Sequence, residues 1–243
     1  MRRRVLVTGG GRRVGRAICL ELAGNGYDVA VHYRSNRAEA EAVVAECEQL
    51  GAAAWAVAAD LAVDEQTRGL AARVLEQWPD RLDLLVNNAS LFQPRPFEDI
   101  TADDWERMVA VHTRAPFLLS QALLESLTAA QDGLVVHICD IGADHPLPGY
   151  AHYSVSKAGL VMLVKAMAVE LAPRIRTMGI SPGQVAWPEE YAAEKRERLA
   201  KRIPLARVGR PEDIASLVRY CALEGTYLNG EIIAVDGGLS KRY

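Results

Sequence analysis

The stretch that decides the fold is "VLVTGGGRRVGRA", residues 5–17. Val5, Leu6 and Val7 run into Thr8 and three glycines, and an amphipathic segment begins near Val14. Strand, glycine turn, helix is the geometry of a phosphate cradle. Gly9, Gly10 and Gly11 let the backbone turn tightly and approach a pyrophosphate, which then faces the amides and positive dipole of the helix. Gly15 lets that helix pack close to the sheet. A glycine cluster alone is a weak signal, since any strand-to-helix turn tolerates one, but here the context is right on both sides.

Outward from this unit the same pattern repeats. Short apolar runs at 4–8, 28–33, 54–59, 83–87, 134–139, 176–181 and 231–235 read as strands. Helical periodicity occupies about 14–24, 36–50, 64–78, 101–127, 152–172 and 211–223. The strands are continuously apolar rather than alternating, and nearly every one is followed by a helix. That predicts an α/β fold: a single-domain, Rossmann-like, doubly wound parallel sheet of about seven strands with helices on both faces. In such sheets ligands bind beyond the carboxyl ends of the strands, where the strand order reverses. No repeat or linker interrupts the 243 residues, so one domain is expected over 1–243.

Composition narrows the function classes. Half the residues are apolar, a quarter are charged, and the net charge of −3 is spread over both signs. Nucleic acid and anionic membranes are therefore not the expected partners. The apolar run behind Arg2, Arg3 and Arg4 is too short for a secretory signal, and no segment reaches the ~20 apolar residues of a membrane span. Cys19, Cys47, Cys139 and Cys221 show no metal-ligand spacing, so buried thiols in a cytoplasmic protein are expected and no metal site.

The residues after the strands carry the chemistry. The second strand ends in "HYRSN" (32–36), with no carboxylate to take a ribose 2′-hydroxyl; His32, Arg34 and Ser35 suit a 2′-phosphate, so NADP(H) is expected. Gly9, Arg13 and Val14 would meet the phosphates, Asp60 and Leu61 would flank the adenine, and Asn87-Asn88-Ala89 would line the ribose and nicotinamide side. Tyr153 and Lys157, one helical turn apart, share a face. A lysine and a cationic nicotinamide would stabilise the phenolate and lower the tyrosine pKa, making Tyr153 a proton donor to a reduced product. Asp140, at the end of the fifth strand, joins them as a third polar group; capping a turn or pairing with Lys157 is its plainer reading.

With Thr8-Gly9, Arg13, Gly15, Asn87-Asn88-Ala89, Tyr153-x-x-x-Lys157, Pro182-Gly183 and "VDGG" (235–238), the chain resembles the short-chain dehydrogenase/reductase family over essentially its whole length. The resemblance implies hydride transfer with a nicotinamide cofactor and a homotetramer. It implies catalytic roles for Tyr153 and Lys157 and cofactor contacts at Pro182 and Gly183. Arg13 in place of the family's middle glycine, the 32–35 run, Ser90, Phe92 and Asp140 in place of the usual serine resemble the pteridine reductase branch, including the dihydromonapterin reductases. That implies reduction of a pterin-like small molecule held between the nicotinamide and Phe92, near Ser90. Asp140 carries weight here: an ionised carboxylate opposes the negative charge that grows on a ketone oxygen, whereas a pterin presents N–H donors and imine nitrogens that take up protons.

Two other readings stay open: a carbonyl or 3-oxoacyl-thioester reductase of the same fold, and a non-catalytic NADP(H) sensor. His112 stands where the family has an asparagine that props the lysine through water; a buried, hydrogen-bonded histidine is the alternative. His137, His145 and His152 suggest no role. Residues 183–205 are expected to close over the substrate, with Trp187 and Tyr191 as an aromatic wall and 189–202 as a solvated amphipathic helix.

Overall fold

Arg3–Val7 forms the first strand, β1, and its side chains show why the sheet must be covered twice. Val5 and Val7 enter one core and Leu6 the other, all three without solvent exposure. The computed structural model describes residues 2–185 and 192–242. Its other strands are β2 (Tyr27–Tyr33), β3 (Ala54–Ala58), β4 (Leu84–Asn87), β5 (Gly133–Ile138), β6 (Ile175–Pro182) and β7 (Ile232–Val235). They form a seven-stranded, all-parallel sheet in the order β3-β2-β1-β4-β5-β6-β7. The chain winds outward from β1 in one direction and, from β4, in the other. The crevice between the carboxyl ends of β1 and β4 is therefore the switch point, and the expected fold class holds.

The helices α1 (Arg13–Gly24) and α2 (Arg37–Gln49) cover one face together with Pro211–Leu223, the last helix. Ile18, Leu22, Val43, Ile214 and Val218 pack there on Val5, Val7, Val29 and Val31. The helix α3 (Asp64–Gln77) and the helices after β4 and β5 cover the other face, where Leu70, Val74, Leu119, Leu127 and Met167 meet Leu6, Leu85 and Val135. Both cores are mostly aliphatic, with Tyr27 in the first and Trp78 in the second, and full burial of each aliphatic side chain contributes roughly 1.5–3 kcal/mol. All four cysteines are buried free thiols, as expected. Among the described residues no helix is long and apolar enough to cross a membrane.

One expected helix is broken. Residues 101–127 form α4 (Ala102–Val109), a π-helical turn (Ala110–Arg114), α5 (Ala115–Ala122) and α6 (Leu124–Thr128). Pro116 has no N–H to return to the carbonyl four residues earlier, that of His112, and a wider turn accommodates the missing bond. The turn carries His112 into the interior, where it is 1 % exposed. The long helix after β5 is α7 (Ala151–Glu170). The charged run 189–202 contains α8 (Ala193–Ala200), whose Glu194, Glu197 and Arg198 face solvent, as expected. The final helix, Pro211–Leu223, is α9. Trp187 and Tyr191, expected as an aromatic wall, lie outside the described residues.

Candidate active site

The glycine turn after β1 is held from two sides. Gly9, at φ +63°, donates its N–H to Nδ1 of His32 at 3.0 Å, and the Gly10 N–H reaches the His32 carbonyl at 2.8 Å. From β4, the Asn88 amide donates to the Thr8 and Gly9 carbonyls at 2.9 and 3.0 Å, and the Thr8 hydroxyl accepts from the N–H groups of Asn88 and Ala89. Gly15 is obligatory: a Cβ there would stand 2.0 Å from the Gly9 carbonyl oxygen. Asn88 is thus the strut of the loop. A second asparagine after β4, facing a threonine before a glycine run, was its only sequence signal.

Two of the residues expected at the cofactor have buried side chains. His32 is 2 % exposed, its Nδ1 bonded to Gly9 and its Nε2 3.0 Å from the Ala59 carbonyl, and burial pushes its pKa down to about 4. It is a neutral brace beneath the loop, not a cation for a 2′-phosphate. Leu61 is buried with Leu70 and Ala71, so its side chain is core rather than a wall of the crevice. Asp60 caps the Ala62 N–H at 2.9 Å and lies 3.5 Å from Arg107.

Arg13, Arg34 and Ser35 are exposed beside the glycine turn and the end of β2, with Val14 half-buried next to them. Neither Arg13 nor Arg34 makes an ion pair among the described residues. Arg13 has φ +48°, a left-handed backbone that costs a non-glycine residue on the order of 1–2 kcal/mol. Asn87 is 4 % exposed and its Oδ1 has no partner among the described residues, an acceptor left open at the crevice end of β4. Across the crevice Pro182 ends β6, and Gly183 follows because a Cβ there would stand 2.5 Å from that of Asp236.

Tyr153 and Lys157 project from the first turns of α7 and are 3 % and 2 % exposed. The Tyr153 hydroxyl donates to Oδ2 of Asp140 at 2.7 Å, while Oδ1 of Asp140 accepts the Gly142 N–H at 2.6 Å. Asp140 therefore caps a turn and holds the phenol at once. Lys157 Nζ donates to the Ile138 carbonyl at 2.8 Å and lies 5.8 Å from the Tyr153 ring centre. The expected acidification counts on a cationic nicotinamide as well as Lys157; the protein's own groups do not acidify the phenol. Burial foremost, and the Asp140 carboxylate next, push its pKa well above the ordinary value. Burial also lowers the Lys157 pKa, against the pull of Asp140.

Phe92 is 46 % exposed, stacked on Tyr150 at 4.3 Å and edge-on to Tyr153 at 4.9 Å. The Arg95 N–H bonds the Gly149 carbonyl at 2.7 Å, tying the loop after β4 to the loop before α7. Tyr150 was not anticipated; an aromatic three residues before Tyr153 at a helix start was its signal. His112 Nε2 accepts the Leu91 N–H at 3.0 Å and meets the Ser90 hydroxyl at 2.9 Å, and its Nδ1 meets the Ser156 hydroxyl at 2.8 Å. It is the buried, hydrogen-bonded histidine, and its contacts go to serines, not to Lys157. His137 is buried in β5, its pKa lowered to about 3 by burial first and Lys157 second.

This arrangement has known counterparts. A family model described as enoyl-(acyl carrier protein) reductase matches residues 11–240. A 3-oxoacyl-[acyl-carrier-protein] reductase, FabG, of Staphylococcus aureus is 32 % identical over 243 residues, covering 98 % of each chain. Among solved structures, an acetoin dehydrogenase from Enterobacter cloacae superposes at TM-score 0.92 with 32 % identity, covering 100 % of this chain and 97 % of that one. FolM alternative dihydrofolate reductase 1 from Brucella canis, complexed with NADP, superposes at 0.92 with 36 % identity, covering 99 % and 95 %. Matched over nearly its full length by the family model, the curated relative and the solved structures, the chain belongs to the short-chain dehydrogenase/reductase family of oxidoreductases.

Proposed function

We propose that the protein is an NADPH-dependent pteridine reductase that delivers hydride to a C=N bond of a dihydropterin, of the dihydrobiopterin, dihydromonapterin or dihydrofolate type. The observation that carries this reading is the 2.7 Å hydrogen bond from the Tyr153 hydroxyl to Asp140, beside the Phe92 ring. The residues present fit NADP(H). The glycine turn offers amides at the start of α1, Arg13 and Arg34 stand unpaired for a 2′-phosphate, and the Asn87 Oδ1 lacks a donor. NADPH when bound supplies a hydride.

The chain's own residues then have distinct work. Phe92 and Tyr150 offer an aromatic platform suited to a flat heterocycle. Tyr153 holds the proton that goes to the ring nitrogen before hydride adds to carbon, so that one proton and one hydride complete the reduction and leave a phenolate. A C=N bond is reduced in its protonated, positively charged form, and the Asp140 carboxylate stabilises that charge. For a ketone the same carboxylate faces a developing negative oxygen and opposes the reaction. Lys157, buried against the ring of Tyr153, offsets the negative charge left on the phenol.

A carbonyl or 3-oxoacyl-thioester reductase is the second reading, favoured by the similarity to FabG. NADPH oxidation with dihydrobiopterin, dihydromonapterin and dihydrofolate tests the first: turnover of at least one is expected, and turnover of none would defeat it. Association with further copies of the chain, as a homotetramer, is part of the same proposal. Val155, Met162 and Val169 lie seven residues apart on α7, exposed by 50, 62 and 81 %, an apolar stripe suited to a second copy.

A further inference from the structure

The wiring of His112 settles where each proton around it lies. Its Nε2 accepts the Leu91 backbone N–H at 3.0 Å, so this nitrogen is unprotonated and Nδ1 carries the proton. Nδ1 donates to the Ser156 hydroxyl at 2.8 Å, and Ser156 donates in turn to the Tyr153 carbonyl at 2.7 Å. Ser90 stands 2.9 Å from the same Nε2. With no proton on that nitrogen, the Ser90 hydroxyl must be the donor between them. The other acceptor in its reach, the Leu91 carbonyl at 3.4 Å, also belongs to the protein. The single proton of Ser90 is therefore spent inward, and the hydroxyl keeps only lone pairs for the crevice.

Ser90 is exposed, directly after Asn87-Asn88-Ala89 and two residues before Phe92. The Phe92 ring lies 4.9 Å from that of Tyr153, and the His112 ring 5.3 Å from it, so Ser90 borders the place where a ring on Phe92 would lie. We infer that His112 sets substrate specificity through Ser90: it commits the Ser90 proton to the interior, so that Ser90 accepts from a bound substrate and does not donate to it. The class selected is a heterocycle that turns an amino group toward the loop after β4, over one that turns an oxygen there. A site whose polar group has one fixed polarity rejects a ligand of the wrong polarity, because both groups are then left unpaired. His112 is thus a positioning residue. The inference rests on the pterin reading and deepens it.

Two pteridines that differ in one exocyclic group test it. Pterin carries a 2-amino group, which donates; 2-methoxypteridin-4-one carries an ether oxygen there, which only accepts. Their dissociation constants are measured with the NADP+-loaded enzyme at a pH where both rings are neutral, a readout that needs no turnover. Wild type should hold pterin roughly 10-fold or more the tighter. In His112→Asn the shorter amide reaches only the Nδ1 position, so the Ser90 proton is released toward the crevice. The methoxy ligand should then bind roughly 3- to 10-fold more tightly than it does to wild type. Such a gain is not what a loosened loop produces. In His112→Gln the amide reaches the Nε2 position, where the Leu91 N–H selects its oxygen, and the wild-type preference should return. Ser90→Ala should weaken pterin by roughly 3- to 10-fold, and His112→Asn should bring no gain in that background. A methoxy ligand unmoved by His112→Asn, equal effects of Asn and Gln, or a gain that survives without Ser90 would overturn the inference alone, with pterin turnover intact. Failure of the wild type to hold either pteridine would overturn it together with the pterin reading.

Discussion

Replacing Asp140 by serine should exchange the preferred substrate class. Ser retains an oxygen to cap the Gly142 N–H, so the turn at 141–143 keeps its start. What is lost is a negative charge 2.7 Å from the phenolic oxygen. A reacting atom hydrogen-bonded to Tyr153 would lie roughly 4–5 Å from that carboxylate, where a full unit charge is worth about 3–4 kcal/mol at an effective dielectric of about 20. With about half a charge developed in the transition state, the effect is ~2 kcal/mol, or about 30-fold in rate. The sign differs with the substrate. Reduction through a cationic C=N should slow about 30-fold, and reduction of a ketone should quicken about 30-fold. The ratio of the two kcat/KM values should therefore swing by roughly a thousandfold. Asp140→Asn, which removes the charge and keeps the shape, should swing it the same way. Steady-state NADPH oxidation with one dihydropterin and one 3-oxoacyl thioester measures the ratio. Equal losses on both substrates would mean that Asp140 acts only as a cap and would refute the reasoning.

Two further outcomes follow from the glycine turn and its brace. Arg13→Gly removes both a left-handed strain and an unpaired cation. Its stability should stay within about 1 kcal/mol of the wild type, since relief of strain and the entropy of glycine oppose each other, while KM for NADPH should rise about 10-fold or more and that for NADH little. Equal changes for both cofactors would remove Arg13 from the 2′-phosphate. His32 titrates at about 4 when folded against 6.5 when free, so the unfolded chain takes the proton first as pH falls. Stability contributed by neutral His32 is whole above pH 6.5 and is lost between 6.5 and 4, by up to about 3 kcal/mol. Urea unfolding across that window should show a shallower slope in His32→Asn, whose amide oxygen can still accept from Gly9; an unchanged slope would contradict the assignment.

The fold was legible because its signals are local and repeated: apolar runs, each followed by a helical period, with a glycine turn at the first. Tyr153, Lys157 and Asp140 were legible for the same reason, since two share a helix face and the third ends a strand. What was hidden depends on the approach of distant segments. His32 looked like a phosphate ligand from its place after β2, but the register of β2 beside β1 turns its ring under the glycine loop. The helix over 101–127 read as continuous because periodicity does not register one extra residue per turn at Pro116. The wiring of His112 to Ser90 and Ser156 joins residues 22 and 44 positions away, and no spacing rule reaches that far. The high phenol pKa likewise arises from burial, which a helix pattern alone does not reveal.

The most direct test puts both substrate classes in one vessel. Wild-type enzyme is given NADPH carrying deuterium on the transferable position, with dihydrobiopterin and a 3-oxoacyl thioester at equal concentration, and the products are read by mass. The account predicts one deuterium in the tetrahydropterin and little in the hydroxyacyl product. Deuterium in the alcohol with none in the pterin would contradict it.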